Sequence, residues 1–306
     1  LSRITELGQI SNASPAMTNA ISRDPQQLQN WLSSNLPRRE QVTLTVYDQS
    51  ADESYLHKDL SPYMQHRRAN LRNRVAFTLF SQSGDVGNYD YAAFYHYDIH
   101  GNVDTLLHDY GAAGIMAANG GRYKRIAYGY DLISGKVNSV SYQPRLYDPV
   151  TRKYITQPDA FYHRYEYDAD NRLTDVYTGS DEQYWEHDAH YRYYKHGPLA
   201  RMTLGDQRVQ GLDYAYTLQG WLKGVNSTAV GTGAFDAGRD GMSGAAHHDV
   251  ARDAFGFSLQ YYANDYKPIL NNNSFADITT AFGVNAKPLY NGNISSMAVN
   301  IPKLGN

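Results

Sequence analysis

The stretch FYHRYEYDADNRL, residues 161–173, contains the pattern that decides the fold of this 306-residue chain. Its core, Tyr165–Asp168, reads Tyr-x-Tyr-Asp, and earlier copies of the same core lie at Tyr95–Asp98 and Tyr128–Asp131. The Tyr-Asp pairs of successive copies are 33 and 37 residues apart. Self-similarity at this spacing is typical of an array in which one supersecondary unit is repeated.

The chemistry of the unit predicts a β-hairpin. Side chains at i and i+2 lie on one face of a strand, so the two rings of Tyr-x-Tyr are expected to pack against the Tyr pairs of neighbouring hairpins. The Asp that follows can accept hydrogen bonds from backbone amides two residues ahead, which starts a turn. Gly101, Gly135 and Asn171 then supply the residue that tolerates positive φ, and a second apolar run follows each of them.

Complete and degenerate copies of this unit extend from residue 95 to residue 292. The positions assigned to the structural repeat are Tyr95, Tyr97, Asp98, Gly101, Tyr128, Tyr130, Asp131, Gly135, Tyr165, Tyr167, Asp168, Asn171, Arg172, Leu173, Tyr194, Gly197, Tyr214, Tyr216, Gly220, Tyr290 and Gly292. In the last copy, Asn291-Gly292 is a strong hairpin-turn signal. Leu173 and Val176 are three residues apart, so either both faces of their strand are partly buried or a bulge intervenes.

Composition supports a sheet and excludes several classes of protein. The chain has 28 Tyr, a mean hydropathy of −0.61, a net charge of −3 and no Cys. Tyr favours strands whose rings are buried while the hydroxyl stays wet. The charge argues against a nucleic-acid partner, and no apolar run approaches the 18 residues of a membrane span. Disulfides and cysteine-based zinc sites are excluded, since Cys is absent.

Four segments are expected along the chain. Residues 1–40 are a connecting segment with one helix over 24–36, and residues 41–228 are hairpin repeats with an extra hairpin inserted at 143–160. A Gly/Ala/Asp-rich loop fills 229–256, and a further β-repeat fills 257–306.

The helix has a start signal and an apolar face. Asp24 is the expected N-cap and Pro25 the first helical residue. Leu28, Trp31, Leu32 and Leu36 follow at helical spacing, which predicts a stripe packed on the core.

Two groups of polar side chains are candidates for a metal-binding, catalytic or sugar-binding site. In the 229–256 loop, His247-His248-Asp249 and Asp253 could ligate a divalent ion. Asp236 and Asp240-Gly241 in the same loop could belong to a calcium site. Neither has the regular ligand spacing of a known metal motif, so a solvated loop is the preferred interpretation.

The second group is aromatic. His187, His190 and His196 lie among Tyr184, Trp185, Tyr191 and Tyr194, which could form a general base or a sugar-stacking site. Packing within a wall is the simpler interpretation. Asp98, Asp131 and Asp168 recur at one hairpin position and therefore indicate turns, not paired catalytic carboxylates. We expect no catalytic residue, no cofactor and no bound metal.

The segment 161–173 resembles the YD-repeat or Rhs-repeat family, whose loose pattern is Tyr-x-Tyr-Asp-x-x-Gly-Arg-Leu, with Asn171 here in place of the usual Gly. The stretches 193–201 (YYKHGPLAR), 209–225 (VQGLDYAYTLQGWLKGV) and 289–296 are similar to Bacteroidetes Rhs proteins in particular. The resemblance implies a mainly β fold: a spiral array of antiparallel hairpins forming part of a hollow cocoon-like shell.

The same resemblance implies a function and partners. Shells of this family enclose a C-terminal toxin or effector, and many release it by self-cleavage in a core-associated segment. No counterpart of that segment is found, so we expect a shell fragment upstream of it. The expected partners are the rest of the same polypeptide, its enclosed cargo and a secretion or delivery apparatus, and the expected location is secreted or at the cell surface.

Two other functions stay open at this point. Exposed Tyr and Trp faces would suit extracellular adhesion or carbohydrate binding, which Trp185 and Trp221 would serve. A hydrolase that uses the loop around His247 is the third reading.

Overall fold

The computed structural model describes residues 3–49, 70–148, 151–228, 236–268, 275 and 287–304. The chain divides into two compact units, residues 1–162 and 163–306. In each unit the described residues form mostly antiparallel strands joined to their sequence neighbours. This confirms the predicted mainly β class built of antiparallel hairpins.

The first unit is a ladder of seven strands in sequence order. The strands are β1 (Glu6–Ile10), β2 (Arg39–Tyr47), β3 (Val75–Ser81), β4 (Tyr91–Tyr97), β5 (Val103–Asp109), β6 (Tyr123–Tyr130) and β7 (Val137–Tyr142), each antiparallel to the next. At the predicted insertion, β8 (Leu146–Asp148) and β9 (Lys153–Ile155) form a separate two-stranded sheet. The first segment, predicted only to connect, therefore contributes a strand to the ladder.

The core of this unit lies where β3, β4 and β5 run side by side. Phe77 and Phe94 are opposite each other on β3 and β4, with ring centroids 5.7 Å apart. Both are 1% exposed, and Leu79 and Leu107 beside them are fully buried. Burial of a Phe or Leu side chain contributes about 1.5–3 kcal/mol, so this cluster is the main apolar support of the unit.

The N-terminal helix begins as predicted but ends early. Helix α1 (Asn19–Arg23) was not predicted, and α2 (Pro25–Ser34) starts after Asp24, whose carboxylate accepts from the amides of Gln26 and Gln27. Asn35 caps α2, and Pro37 in the 3-10 turn Leu36–Arg38 disfavours α conformation before it.

The predicted apolar stripe on α2 is only partly packed on the core, with Leu28 half-buried. Trp31 is buried and its indole N–H donates to the carbonyl of Pro15 at 2.7 Å. Leu32 and Leu36 are 38% and 47% exposed. The remaining helical pieces are α3 (Ile115–Ala118) and 3-10 turns at Val86–Asn88 and Pro302–Leu304. No helix among the described ranges has the length and apolarity needed to cross a membrane.

The second unit is built in the same way. After β10 (Phe161–Tyr167), which lies at the unit boundary, come β11 (Leu173–Gly179), β12 (Glu186–Tyr193), β13 (Leu199–Leu204), β14 (Gln210–Tyr216), β15 (Leu222–Val225), β16 (Gly256–Gln260) and β17 (Ser296–Asn300). From β11 to β17 each strand pairs antiparallel with the next. Leu173 and Val176 on β11 are both half-buried.

The last predicted hairpin is wrong. Gly292 has φ +84°, but residues 287–290 before it form no strand, and β17 after it pairs with β16. The amides of Leu289 and Ser295 donate to the carbonyls of Tyr261 and Gln260. The Asn-Gly turn therefore interrupts one extended segment and does not join two strands of a hairpin.

Candidate functional site: the hairpin junctions and the histidine cavity

The residues that repeat in the sequence meet where one hairpin follows another. The last Tyr of a hairpin's first strand reaches back and donates its hydroxyl hydrogen to a carbonyl at or near the start of an earlier strand. We call this contact the tyrosine latch. Its five described instances are Tyr47 to Ile4 (3.2 Å), Tyr97 to Val75 (2.9 Å), Tyr130 to Val103 (2.9 Å), Tyr193 to Leu173 (2.7 Å) and, from the end of β16, Tyr261 to Leu222 (2.8 Å).

An arginine completes the latch at three junctions. Arg3, Arg74 and Arg172 immediately precede the accepting residues Ile4, Val75 and Leu173, and each guanidinium lies over the latch ring. The distances to the ring centroids of Tyr47, Tyr97 and Tyr193 are 4.9, 5.3 and 4.8 Å. A cation over a Tyr ring contributes about 0.5–1 kcal/mol at exposed sites. The Arg-Leu end of the repeat pattern thus acts between hairpins.

The Asp of each complete core organises the turn. Asp131 Oδ1 accepts from the amides of Ile133 (3.1 Å) and Ser134 (2.7 Å). Asp168 Oδ1 accepts from the amides of Asp170 and Arg172, both at 2.9 Å, and Oδ2 accepts from Arg172 Nε at 2.8 Å. These bonds hold the pKa of Asp168 below its usual range, and the bond from the Arg172 amide has the largest effect.

The remaining complete core, at Tyr95–Asp98, has the same geometry, and so do the turn residues. Asp98 Oδ1 accepts from the amides of Gly101 (2.7 Å) and Asn102 (2.9 Å). The turn residues of the repeat all have positive φ: Gly101 +101°, Gly135 +69°, Asn171 +60°, Gly197 +115° and Gly220 +83°. At Gly101 a Cβ would also lie 2.4 Å from the Arg74 guanidinium, so a side chain there would disturb the latch arginine.

The rings of the repeat make fewer contacts between hairpins than the sequence predicts. Tyr128 and Tyr130 stack within one strand at 6.4 Å, and Tyr165 stacks on His163 at 6.2 Å. In the degenerate copies, Tyr194 contacts the ring of Tyr216 edge-on at 6.4 Å and donates to the carbonyl of Tyr214 at 2.7 Å. The link that recurs is the hydroxyl-to-carbonyl bond.

Bulges accompany the latches. In the hairpin β4–β5, His96 is opposite Thr105 but Tyr97 is opposite Val103, which leaves Asp104 as an extra residue. The same shift leaves Ala76, Asn138, Ala200 and Lys223 extra in the second strands β3, β7, β13 and β15. A bulge interrupts the ladder and increases local twist. At Val75, Val103 and Leu222 the latch supplies a hydrogen bond beside that interruption.

A further bulge creates a polar cluster that the sequence does not predict. On β11 and β12, Val176 is opposite Ala189 and Tyr177 is opposite His187, so Asp188 is extra. His187 and His190 are three residues apart and would lie on opposite faces of a regular strand. The bulge brings both to Asp175, whose Oδ1 is 2.9 Å from His187 Nε2 and 2.7 Å from His190 Nδ1.

Neighbouring side chains hold this cluster in place. The His187 ring stacks on Tyr177 at 4.6 Å, and the His187 amide donates to Asp206 Oδ1 at 2.9 Å. His190 lowers the pKa of Asp175 by hydrogen bonding, against the raising effect of partial burial. The cluster borders a cavity of about 300 Å³ that His187, His190, Arg192, Thr203, Arg208 and His247 help to line.

The metal sites that the sequence suggests in the 229–256 loop take a different form, and residues 229–235 of that loop lie outside the described ranges. His248 is exposed, Asp249 is ion-paired with Arg208, and Asp253 accepts from Gln210 at 3.1 Å. His247 faces the cavity. His247, His248 and Asp249 therefore face different surroundings, and the groups in the described part of the chain that could hold a metal ion reduce to Asp175, His187 and His190.

The loop is not simply solvated, which corrects the sequence interpretation. Asp236, Asp240 and Asp253 are 5%, 0% and 5% exposed. Arg201 on β13 contacts one of them: its Nη2 donates to both oxygens of Asp240, at 2.7 and 2.9 Å, and its Nη1 donates to Asp213. Of the four carboxylates Asp213, Asp236, Asp240 and Asp253, the Arg201 guanidinium therefore pairs directly with two.

This excess of negative charge is relieved by protons. Burial and, after it, the nearby carboxylate of Asp236 together raise the pKa of Asp253 to about 8. Burial also raises the pKa of Asp213 to about 6, although Arg201 opposes the shift. Burial raises the pKa values of Asp236 and Asp240 as well. The spacing of the sequence carries no signal for this cluster, because its members come from three separate stretches of chain.

His196 lies apart from both clusters and stacks on Tyr194 at 5.3 Å. Trp185 lies under the Arg164 guanidinium at 5.1 Å, whereas Tyr184 beside it is 79% exposed. Tyr290 is 70% exposed and stacks on Tyr262 at 4.8 Å.

Comparisons with known proteins give structural neighbours and no close relative. No protein-family model matches the sequence, and no curated protein matches it. A crystal structure of TcdB2-TccC3-TEV is 13% identical over 72% of this chain and 10% of that chain, with a TM-score of 0.28.

Two further structures are similar at the same level. The Photorhabdus luminescens Tc holotoxin pore with a mutated TccC3 is 11% identical over 72% of this chain and 14% of that one, with a TM-score of 0.16. A crystal structure of TcdB2-TccC3 is 9% identical over 84% of this chain and 15% of that one, with a TM-score of 0.19. This chain spans at most 15% of these solved chains. At such TM-scores, its function rests on its own geometry.

Proposed function

We propose that this chain is a non-enzymatic wall segment of a secreted Rhs-type shell that encloses a C-terminal toxin or effector cargo. The observation that carries the proposal is the tyrosine latch. The residues that recur along the sequence, Tyr at the strand end and Arg-Leu or its equivalent after the turn, are used to join one hairpin to the next. When the residues that recur in a repeat form the contacts between neighbouring repeats, the protein is typically a scaffold.

Open strand edges support continuation of the wall. Within the described ranges β1 and β17 each pair on one side. Both expose apolar side chains: Leu7 is 68% exposed on β1, and Met297 and Val299 are 50% and 54% exposed on β17. An exposed apolar edge strand is a template for another strand. In a shell, further hairpins of the same polypeptide would cover these edges, and that polypeptide and its cargo are the proposed partners.

Electron microscopy of the complete protein tests the proposal. We expect a hollow particle whose wall is built of these hairpins, with density for a cargo inside. A solid globule, or a flat solenoid without a lumen, would overturn it.

Protease protection gives a second test. We expect the cargo in the complete protein to resist trypsin, and a Tyr97→Phe, Tyr130→Phe, Tyr193→Phe triple variant to admit trypsin faster. The matched control is Tyr184→Phe, since this ring is exposed. Equal cleavage of all three proteins would count against a protective wall.

The adhesion alternative depends on free aromatic faces. Trp221 packs against Tyr261 at 5.1 Å and Tyr262 at 6.5 Å, and Trp185 is covered on one side by Arg164. We therefore expect no signal on a broad glycan array. Binding that is lost on Trp185→Ala or Trp221→Ala would favour adhesion instead.

A further inference from the structure

The three groups that meet at the bulge of β12 have the chemistry of a metal site. Imidazole nitrogens and a carboxylate oxygen are ligands for divalent transition ions such as Zn²⁺. Asp175, His187 and His190 each offer one such atom, and all three atoms lie within 4.8 Å of one another.

The separations fit a common ion. Two ligands at about 2.1 Å from a metal lie about 2.9–3.4 Å apart when they subtend 90–109°. The His187 nitrogen and the His190 nitrogen lie 2.9 and 2.7 Å from the same Asp175 oxygen. The first separation is at the lower end of this range and the second is slightly shorter, so an outward shift of the His190 ring is needed for both nitrogens to share an ion with Asp175.

His187 adds an independent observation. Its Nε2 atom is buried and makes no hydrogen bond, although the Asp175 oxygen is only 2.9 Å away. The contact is therefore too poorly directed to be an N–H donating to the carboxylate. An ion held by both atoms would lie beside the line that joins them, so a His187 Nε2 that points past the Asp175 oxygen is the geometry that a shared ion requires. Stacking on Tyr177 limits the rotation of this ring.

His190 sets one requirement. Its Nε2 now accepts a 3.3 Å contact from Arg192 Nε, and its Nδ1 lies on the Asp175 side. To bind a metal through Nδ1, the ring must carry its proton on Nε2, so the Arg192 contact must be lost. Arg192 is exposed and free to turn toward water.

We propose that Asp175, His187 and His190 bind one divalent transition-metal ion, with the remaining coordination positions open to the adjoining cavity. Arg208 and Thr203 on the cavity wall would then face water or a small anion on the ion. Asp175 belongs to β11 and the two histidines belong to β12. The ion would therefore bridge the second strand of one hairpin and the first strand of the next. This inference is independent of the proposed shell.

Zinc binding by the protein, freed of metal with a chelator and dialysed against ZnCl₂, tests the site. We expect about one zinc per chain at this site and a higher Tm with zinc than with EDTA. Asp175→Asn, His187→Ala and His190→Ala should each weaken binding at least about tenfold, because each removes a ligand. His196→Ala is the matched control and should bind as the unchanged protein does. Equal binding by the control and by all three ligand variants would overturn the proposal.

X-ray absorption of the unchanged protein loaded with zinc needs no variant to fold. We expect a shell of oxygen and nitrogen with the outer scattering of two imidazoles. A shell of oxygens alone, or of water, would overturn the assignment whatever the variants do.

Discussion

Two junctions between successive hairpins share the tyrosine latch but differ in the side chains that face each other. At β3–β4, Phe77 is opposite Phe94 and both are almost fully buried. At β11–β12, Asp175 is opposite His190, and their side chains are 15% and 36% exposed. A tyrosine latch spans each junction, from Tyr97 to Val75 and from Tyr193 to Leu173. The latch and the ladder therefore define the repeat, and the side chains between them are free to supply either stability or chemistry.

The largest expected difference between the two junctions is in packing. Phe94→Ala should lower the free energy of unfolding by about 3–5 kcal/mol, because it opens a cavity beside Phe77 and Leu79. His190→Ala should cost less than about 1 kcal/mol, since its ring is partly exposed. Urea unfolding at fixed pH and without added metal measures both. Similar losses at the two junctions would show that the apolar one is not the main support.

The next largest expected effect is a pH dependence of the free energy of unfolding that arises in the second unit. The pKa of Asp253 is about 8 in the folded chain and about 3.9 when unfolded. The folded state thus holds this proton more tightly, so stability should rise as pH falls from 8.5 to 5.5. Asp213, with a pKa of about 6, acts in the same direction at the lower end of that range.

Asp253→Asn removes the largest part of this dependence. We expect the urea midpoint of the variant to change less between pH 8.5 and 5.5 than that of the unchanged protein. Asp249→Asn is the matched control, because Asp249 is an exposed neighbour paired with Arg208. The interpretation is wrong if the unchanged protein becomes less stable over the same fall in pH.

The smallest effect should be equal at both junctions. Tyr97→Phe and Tyr193→Phe each remove one hydroxyl-to-carbonyl bond while keeping the ring, at a cost of about 0.5–1.5 kcal/mol. Tyr184→Phe, at an exposed ring, should change stability by less than about 0.5 kcal/mol. Urea midpoints of the three variants compare them directly. A loss at Tyr97 without one at Tyr193 would show that the latch stabilises only where the surroundings are apolar.

Much of the hairpin unit can be predicted because its chemistry is local. Asp168 bonds to amides two and four residues ahead, and Asn171 adopts positive φ within the same turn. Likewise, Asp24 starts α2 through the amides of the next turn. Such interactions depend on residues close together in sequence, so a pattern of residue types is enough to indicate them.

The errors arise where a partner distant in sequence decides the outcome. The Asn291-Gly292 turn fails to close a hairpin because β17 pairs with β16. The 229–256 loop, predicted to be solvated, is partly buried because Arg201 draws Asp240 inward from 39 residues away. Leu32 and Leu36 are 38% and 47% exposed, which helical spacing alone did not indicate.

The pattern of residue types is enough to predict the repeat: Tyr at i and i+2, Asp at the turn and Gly or Asn at positive φ, all of which follow from strand and turn stereochemistry. The contacts of the repeat residues depend instead on how distant parts of the chain pair. The latch carbonyls lie 20 to 43 residues from their tyrosines, and Asp188, one extra residue on β12, places two histidines on one face. Strand register fixes both features, and register is set by pairing across the sheet.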